Sequence, residues 1–468
     1  MGVLGELKKI QDQLFDPQTN LLRLAPGVTP GHDLSALNLH SVRETALSAY
    51  ADLRDGDVDR ARAQLRAVLA SQWLEPGAPW HGTFPTVAEQ PVPREGAKEW
   101  VDYDPNWRQF VGVALVQCRN EFTSLVGDEL TAAIDAALRA CVEGEPRERI
   151  PVWYTNPLLL AAWLEATVGV VLDEPGFVNR GEERLRSVSD QVDRDSDLAE
   201  YNSPTYDGIN LFALALCEQR PPTPVFAELG RRLSETLKNR LHYVWTPTLG
   251  AIAGPYIRTY GFRLTDYVSL TGLWWAIAGA GMNTLPAVLD VNTDHVHDLF
   301  FAPLFDDLAP TWRIPNFRGA GMFTRRLGPV TATSCSTEFA LTGLEVGRHH
   351  TFARDQYFPI VAHQRHGGVT SYLALNISDS VTVSEGFIGY DARIFATLFS
   401  EGSKVTCVMR SSHPPQLDGD GLTSGGITVA VGIAPDVMET TAAAQGYSTR
   451  LEWPAKELPI QVLVDAFQ

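Results

Sequence analysis

The chain has 468 residues, 44% of them hydrophobic and 20% charged, with a formal net charge of −18. That composition excludes a disordered or low-complexity chain, and the length allows two or three domains with large cores. The acidic balance argues against nonspecific nucleic-acid binding but leaves room for a local basic pocket for one small anion. Five cysteines (Cys118, Cys141, Cys217, Cys335 and Cys407) follow no metal or redox spacing, which suits reduced thiols in the cytoplasm. No run of about 18 apolar residues occurs, so no membrane-spanning helix is expected. Met1 to Asp16 is amphipathic and lacks the long apolar core of a signal peptide.

Residues 1–35 read as one short helix and a Pro/Gly-rich connector, Ala25 to His32. Helices are predicted over 40–54 and 58–72, the second with Ala61, Leu65, Val68 and Leu69 as a one-sided stripe. The stretch from Glu75 to Trp100 reads as a long loop over a cleft, carrying Trp80, His81, Thr83 and Phe84. Helical pairs follow at 106–121 with 127–142, 157–173 with 175–190, and 204–219 with 223–243. In each pair the first helix is the more apolar. A buried helix over 264–280 and helical segments near 285–306 end this half.

Asp104-Pro105, Asn156-Pro157 and Ser203-Pro204 each read as a cap followed by a first-turn proline, with Gly254-Pro255 a looser fourth case. The prolines are 52, 47 and 51 residues apart. Two helices per repeat of this length are the signature of a helical-hairpin array. Closed into a ring, the array is an (α/α) toroid whose equivalent helix starts line one rim. After Pro310, short runs rich in Val, Thr, Ile and Tyr alternate with Gly, Asp and Ser turns, from Val330–Cys335 to Ile460–Val464. These read as an antiparallel β-sandwich. The expected fold class is α+β multidomain: an (α/α) toroid catalytic domain over 1–315 and an antiparallel β-sandwich over 316–468.

The stretch Glu200-Tyr201-Asn202-Ser203-Pro204-Thr205-Tyr206-Asp207-Gly208 is the densest in chemistry. Ser203 reads as an N-cap and Pro204 as the first helical residue. Tyr201 and Asn202 then stand beside unpaired helix N–H groups, a good place for a carboxylate or a developing anion.

A helical toroid followed by an antiparallel sandwich resembles the alginate lyase and heparinase II/III-like polysaccharide lyases. Trp153-Tyr154-Thr155-Asn156 and Tyr201-Asn202 are similar to that superfamily's inner-helix starts, which present Asn, often Asn-His, to a substrate carboxylate. Gly254-Pro255-Tyr256-Ile257-Arg258-Thr259 is similar to its later Pro…Arg-Thr segment, after which a tyrosine follows; here Tyr260 and Tyr267 qualify. The usual histidine after the motif asparagine is Ser203 in this chain. The resemblance implies β-elimination: removal of a proton α to a carboxylate and loss of a group from the β-carbon.

That chemistry needs a group to offset charge on the carboxylate, a base, and an acid for the leaving oxygen. The expected catalytic residues are Asn202, Tyr206, Arg258, Tyr260 and His40, with Arg258 either clamping a carboxylate or lowering a phenol pKa. Arg258 and Arg263 are also candidate partners for Asp266. Expected substrate-binding residues are Asn156, Tyr154, Trp100, Tyr201, Tyr256, Tyr267 and His363. His350 and Tyr357 are further side chains that a sandwich can send into the cleft. No metal and no cofactor are expected, because no phosphate loop, dinucleotide fingerprint or zinc-protease motif occurs, and His363 and His366 fall on opposite strand faces.

The expected function is a cytoplasmic carbon–oxygen lyase, or a related isomerase, acting on an acidic saccharide or small carboxylate. Expected partners are that substrate, with no nucleic acid and no membrane; a homodimer stays open. Two alternatives use the same architecture. One is an inverting glycoside hydrolase working through Asp102, Asp104, Glu200 or Asp207. The other is a biosynthetic dehydratase or cyclase on a repurposed toroid. A silent saccharide-binding protein using Trp100 and Trp153 is a third reading.

Overall fold

The computed structural model describes residues 2–26, 38–246, 249–254, 256–278 and 284–309, and from 323 to 465 the strands named below with residues 358, 412–415 and 445. The helices are α1 (Val3–Leu14), α2 (Val42–Asp55), α3 (Val58–Ala70), α4 (Trp107–Glu121), the one-turn α5 (Thr123–Val126), α6 (Asp128–Glu143), α7 (Thr155–Val171), α8 (Pro175–Asp195), α9 (Asp207–Gln219), α10 (Pro224–Val244), α11 (Leu270–Ile277) and α12 (Ala302–Leu308). A 3-10 helix, Val296–Phe301, leads into α12. Local signals set several ends. Gly56 closes α2 in the left-handed region at φ 87, donating its N–H to the last carbonyls. Pro175 and Pro224 open α8 and α10, where a missing N–H has no cost.

The helices divide by burial. α4, α7 and α9 are buried along nearly their whole length, whereas α6, α8 and α10 bury one face each. The α7 run Leu158–Leu164 has apolar residues on all sides, so it must be surrounded. α2 packs on α4, α4 on α7, α7 on α9 and α9 on α11; α12 touches α11, α9 and α2. Gly208, in the first turn of α9, abuts the backbone of Leu270 and Thr271, so closely that a Cβ would lie 2.1 Å from the Leu270 carbonyl carbon. No described helix is long and apolar enough to cross a membrane.

Three short strands, β1 (Phe15–Asp16), β2 (Leu21–Arg23) and β3 (His40–Ser41), form an antiparallel sheet beside α2, and β4 (Trp245–Thr246) pairs with β5 (Ala251–Ile252). The strands of the second half are β6 (Phe323–Leu327), β7 (Val330–Cys335), β8 (Phe339–Leu344), β9 (Ile360–His366), β10 (Val369–Ile377), β11 (Val381–Thr382), β12 (Arg393–Leu398), β13 (Lys404–Ser411), β14 (Gln416–Asp418), β15 (Gly421–Ser424), β16 (Ile427–Val431), β17 (Val437–Ala443), β18 (Gly446–Pro454) and β19 (Ile460–Asp465). They make an eight-stranded sheet in the order β17-β18-β13-β10-β9-β8-β7-β6 and a six-stranded sheet in the order β11-β12-β19-β16-β15-β14. Every described pairing within these two sheets is antiparallel. The fold is a mixed α+β one.

Several elements differ from the sequence reading. α9 starts at Asp207, not Pro204. Ser203 still acts as a cap: its Oγ accepts from Tyr206 N at 3.0 Å and its own N–H donates to the Asp207 carboxylate at 3.0 Å, closing a turn ahead of the helix. Asn156 lies inside α7 rather than capping it, with Tyr154 at the cap position. α11 is shorter than 264–280 because Ser269 caps it, accepting from Gly272 N at 2.9 Å. Of the 285–306 stretch, the first part is turns, and helix begins only at Val296.

Candidate functional site

Two segments form the centre of the site: residues 201–206 ahead of α9, and Ala253 with residues 256–260 after β5. They are zipped together. Asn202 Nδ2 donates to the Ala253 carbonyl at 2.7 Å, and Ile257 N to the Tyr201 carbonyl at 3.3 Å. Ser203 Oγ donates to the Arg258 carbonyl, and Tyr260 N to Thr205 Oγ1 at 3.2 Å. Asn202 takes the left-handed conformation, φ 52, which asparagine tolerates better than most residues, and it is fully buried.

Arg258 reaches from the second segment to the first. Its Nη1 donates to Glu200 Oε1 at 3.1 Å, and its guanidinium lies 4.0 Å from the ring centre of Tyr206 and 5.3 Å from that of Tyr154. Cations are attracted to aromatic faces at these distances. Burial opposes the Arg258 charge, but Tyr206, Tyr154 and Glu200 outweigh it and hold its pKa well above the ordinary value. The other Glu200 oxygen accepts from the Asn156 backbone N–H at 3.2 Å and from Asn156 Nδ2 at 2.7 Å. The carboxylate held at the α7 N-terminus by Asn156 is therefore the chain's own, where a helix dipole favours an anion.

Tyr206 and Tyr260 share a hydrogen bond between their hydroxyls at 2.6 Å. Burial raises the Tyr206 hydroxyl well above the usual phenol value against the pull of Arg258, so Tyr206 is neutral at rest. Burial also pushes Tyr154 up to about 12. Tyr260 is 38% exposed and its ring stacks on His295 at 4.8 Å. Tyr260, Asp294 and His295, with Tyr372 on β10, Arg410 on β13 and Tyr447 on β18, line a cavity of about 250 Å³. Arg410 has no carboxylate within ion-pair distance among the described residues. Beside Arg258, Tyr154 stacks on Trp153 at 6.2 Å and lies 6.5 Å from Trp100. Trp100 is 56% exposed and adopts φ 59, a costly backbone for an aromatic residue.

The remaining expected residues sit elsewhere or behind this wall. Tyr201 is fully buried with the Arg240 guanidinium 4.9 Å over its ring. The Tyr256 hydroxyl donates to the Ile252 carbonyl. The Tyr267 hydroxyl bonds Thr205 Oγ1 at 3.1 Å, and its ring meets His295 edge-on at 5.5 Å. His40 is buried between Glu89 Oε1, 2.6 Å from Nδ1, and Asp16 Oδ2, 3.1 Å from Nε2. His363 Nε2 donates to the Phe262 carbonyl at 2.8 Å, and burial lowers its pKa to about 4. Arg263, not Arg258, pairs with Asp266, at 2.8 Å. His350 and Tyr357 lie outside the described residues.

None of Asp102, Asp104, Glu200 and Asp207 lines the cavity. Asp102 accepts from Lys98 N and Asp104 from Asn106 N, both at 2.8 Å, while Asp207 pairs with Arg240 at 2.6 Å. Sequence reasoning passed over His295 and Arg410. The signal for the first was the run Asp294-His295-Val296-His297-Asp298, crowded with ligand-type side chains. Arg410 left no such signal, since one arginine in a strand has no local pattern.

With this geometry in hand, the chain can be assigned: residues 3–310 match the family described as Domain of unknown function (DUF8769), and the chain belongs to that family. No curated protein matches it.

Proposed function

We propose that the protein is a carbon–oxygen lyase that carries out β-elimination on an acidic saccharide unit or a small carboxylate, in the manner of the heparinase-like and alginate lyase-like enzymes. The observation that carries the reading is the hydroxyl pair Tyr206–Tyr260 at 2.6 Å, backed by Arg258, with Tyr260 lining the cavity. Tyr260 takes the proton α to the substrate carboxylate. To do so Tyr260 first gives up its own hydroxyl proton to solvent. The negative charge then on its oxygen, before it takes the substrate proton, is offset by the hydrogen bond from neutral Tyr206 and by the nearby Arg258 charge. Electrons from the broken C–H bond form the new double bond as the β C–O bond breaks, and Tyr260 returns the proton to the departing oxygen. Arg410, which lines the same cavity, is suited to the substrate carboxylate, a cation meeting an anion. The aromatic edge of Trp100, Trp153 and Tyr154 suits the flat face of a sugar ring.

The cavity is at the small end of ligand sites, which favours one sugar residue or a small acid over a long polymer segment. The toroid reading is supported by the succession of neighbours α2, α4, α7, α9, α11, α12 and back to α2. The sandwich reading is supported by the two antiparallel sheets, whose strands β12 and β8, and β10 and β15, come into contact. The test is Tyr260→Phe assayed on uronate-containing oligosaccharides. Turnover should fall by about 10²–10⁴-fold, the usual contribution of a positioned acid–base group, with thermal unfolding unchanged. Full turnover in Tyr260→Phe would remove the proposal's base.

A further inference from the structure

We infer that His295, His297 and Asp298 form a binding site for one divalent transition-metal ion of the zinc type, beside the tyrosine pair. One donor atom from each of the three lies within 4.8 Å of the other two. The two histidine rings are 5.3 Å apart between centroids, on a tight turn where His295 takes φ 56 and the 3-10 helix begins. Nδ1 of both rings is buried and has no hydrogen-bond partner among the described residues. The other ring nitrogens are poorly served as well. His295 Nε2 stands 3.8 Å from Asp294 Oδ1 and His297 Nε2 3.4 Å from Asp298 Oδ1, both too long for good hydrogen bonds. The Asp298 side chain is only 6% exposed, and Arg43, its arginine neighbour among the described residues, is 3.6 Å away and is already bonded to Glu44. Buried imidazole nitrogens and a buried carboxylate with such weak partners are what a site prepared for a cation looks like.

The donor set selects the ion. Two neutral imidazoles and one carboxylate suit Zn²⁺ or a neighbouring first-row ion, whereas Mg²⁺ and Ca²⁺ favour oxygen ligands throughout. Donors around a tetrahedral zinc lie about 3.3 Å apart, so binding draws these three together by rotation of the histidine side chains. Three protein ligands leave a coordination position for water or a substrate oxygen. Gln445 Nε2 fixes Asp294 at 3.0 Å, and His295 is stacked on Tyr260, so the ion is tied to the cavity wall from both halves of the chain. The inference stands apart from the proposed elimination, because it concerns binding alone.

The test is zinc titration of the full-length protein after stripping with a chelator, read by calorimetry and by metal content after dialysis. One Zn²⁺ per chain is expected. His295→Ala, His297→Ala and the nearly isosteric Asp298→Asn should each weaken it by more than about tenfold. His413→Ala, at an exposed histidine remote in sequence, should leave binding unchanged. Zinc-edge X-ray absorption on the unaltered protein should report two imidazoles per zinc and needs no variant to fold. Absence of bound zinc, or binding undiminished in His295→Ala and His297→Ala, overturns the assignment whatever the protein does to a saccharide.

Discussion

Arg258 and Tyr260 are two residues apart and have different duties. The Arg258 guanidinium and the Glu200 carboxylate are buried together, so removing one partner strands the other charge. Arg258→Ala should therefore cost about 3–5 kcal/mol in chemical denaturation. Tyr260→Phe removes one hydroxyl from a part-exposed ring and should cost no more than about 0.5 kcal/mol. Equal losses in the two variants would contradict this division. Asp207 supplies a pH test. Burial pushes its carboxyl up to about 7, against the pull of Arg240, so between about pH 4 and 7 the folded state keeps a proton that the unfolded state releases. Stability from this group is present at low pH and lost as pH rises through 7. The melting-temperature difference between wild type and Asp207→Asn should accordingly fall from pH 5 to 7 and level off above; a rise over that window would contradict the reading.

Among elements, the contact of α9 with α11 is the tightest constraint on the site, since Gly208 abuts the Leu270–Thr271 backbone and its N–H donates to Thr271 Oγ1 at 2.8 Å. A methyl group there must push the two helices apart. Gly208→Ala should destabilise by roughly 1–3 kcal/mol or more and disturb residues 201–206 at the head of α9; a variant with native stability would show that the helices have room. This contact also marks the limit of sequence reading. The paired helices were legible because apolar periodicity, Pro175, Pro224 and Gly56 act locally. Tyr206 was legible from the Ser203-Pro204 start just before it, and Arg258 and Tyr260 from the resemblance of residues 254–259 to a Pro…Arg-Thr segment followed by a tyrosine. Glu200 reaching across to Asn156 was not, because two residues 44 apart meet only through packing of α7 against α9. His295 and His297 were hidden by reading 285–306 as helix, where their left-handed start and 3-10 turn leave no periodic trace.

At the scale of the whole molecule, the cavity depends on both halves of the chain. Tyr256 and Phe358 exchange backbone hydrogen bonds at 3.0 and 2.9 Å, Arg263 Nη1 donates to the Thr370 carbonyl at 2.7 Å, and His363 holds the Phe262 carbonyl. His363 is buried neutral with its pKa lowered to about 4, so between about pH 6.5 and 4 the unfolded state binds a proton that the folded state refuses. This contribution is present above pH 6.5 and lost as pH falls, opposite in sign to that of Asp207. His363→Gln should remove it, so that the stability difference from wild type shrinks on acidification from pH 7 to 4.5; a difference that grows would contradict the assignment. The elimination itself is tested most directly by incubating the full-length protein with uronate-containing oligosaccharides while following ultraviolet absorbance and product mass. Rising absorbance of a conjugated enol acid, products whose masses sum to that of the substrate, and loss of both signals in Tyr260→Phe are expected. Products heavier by one water, without new absorbance, would contradict it.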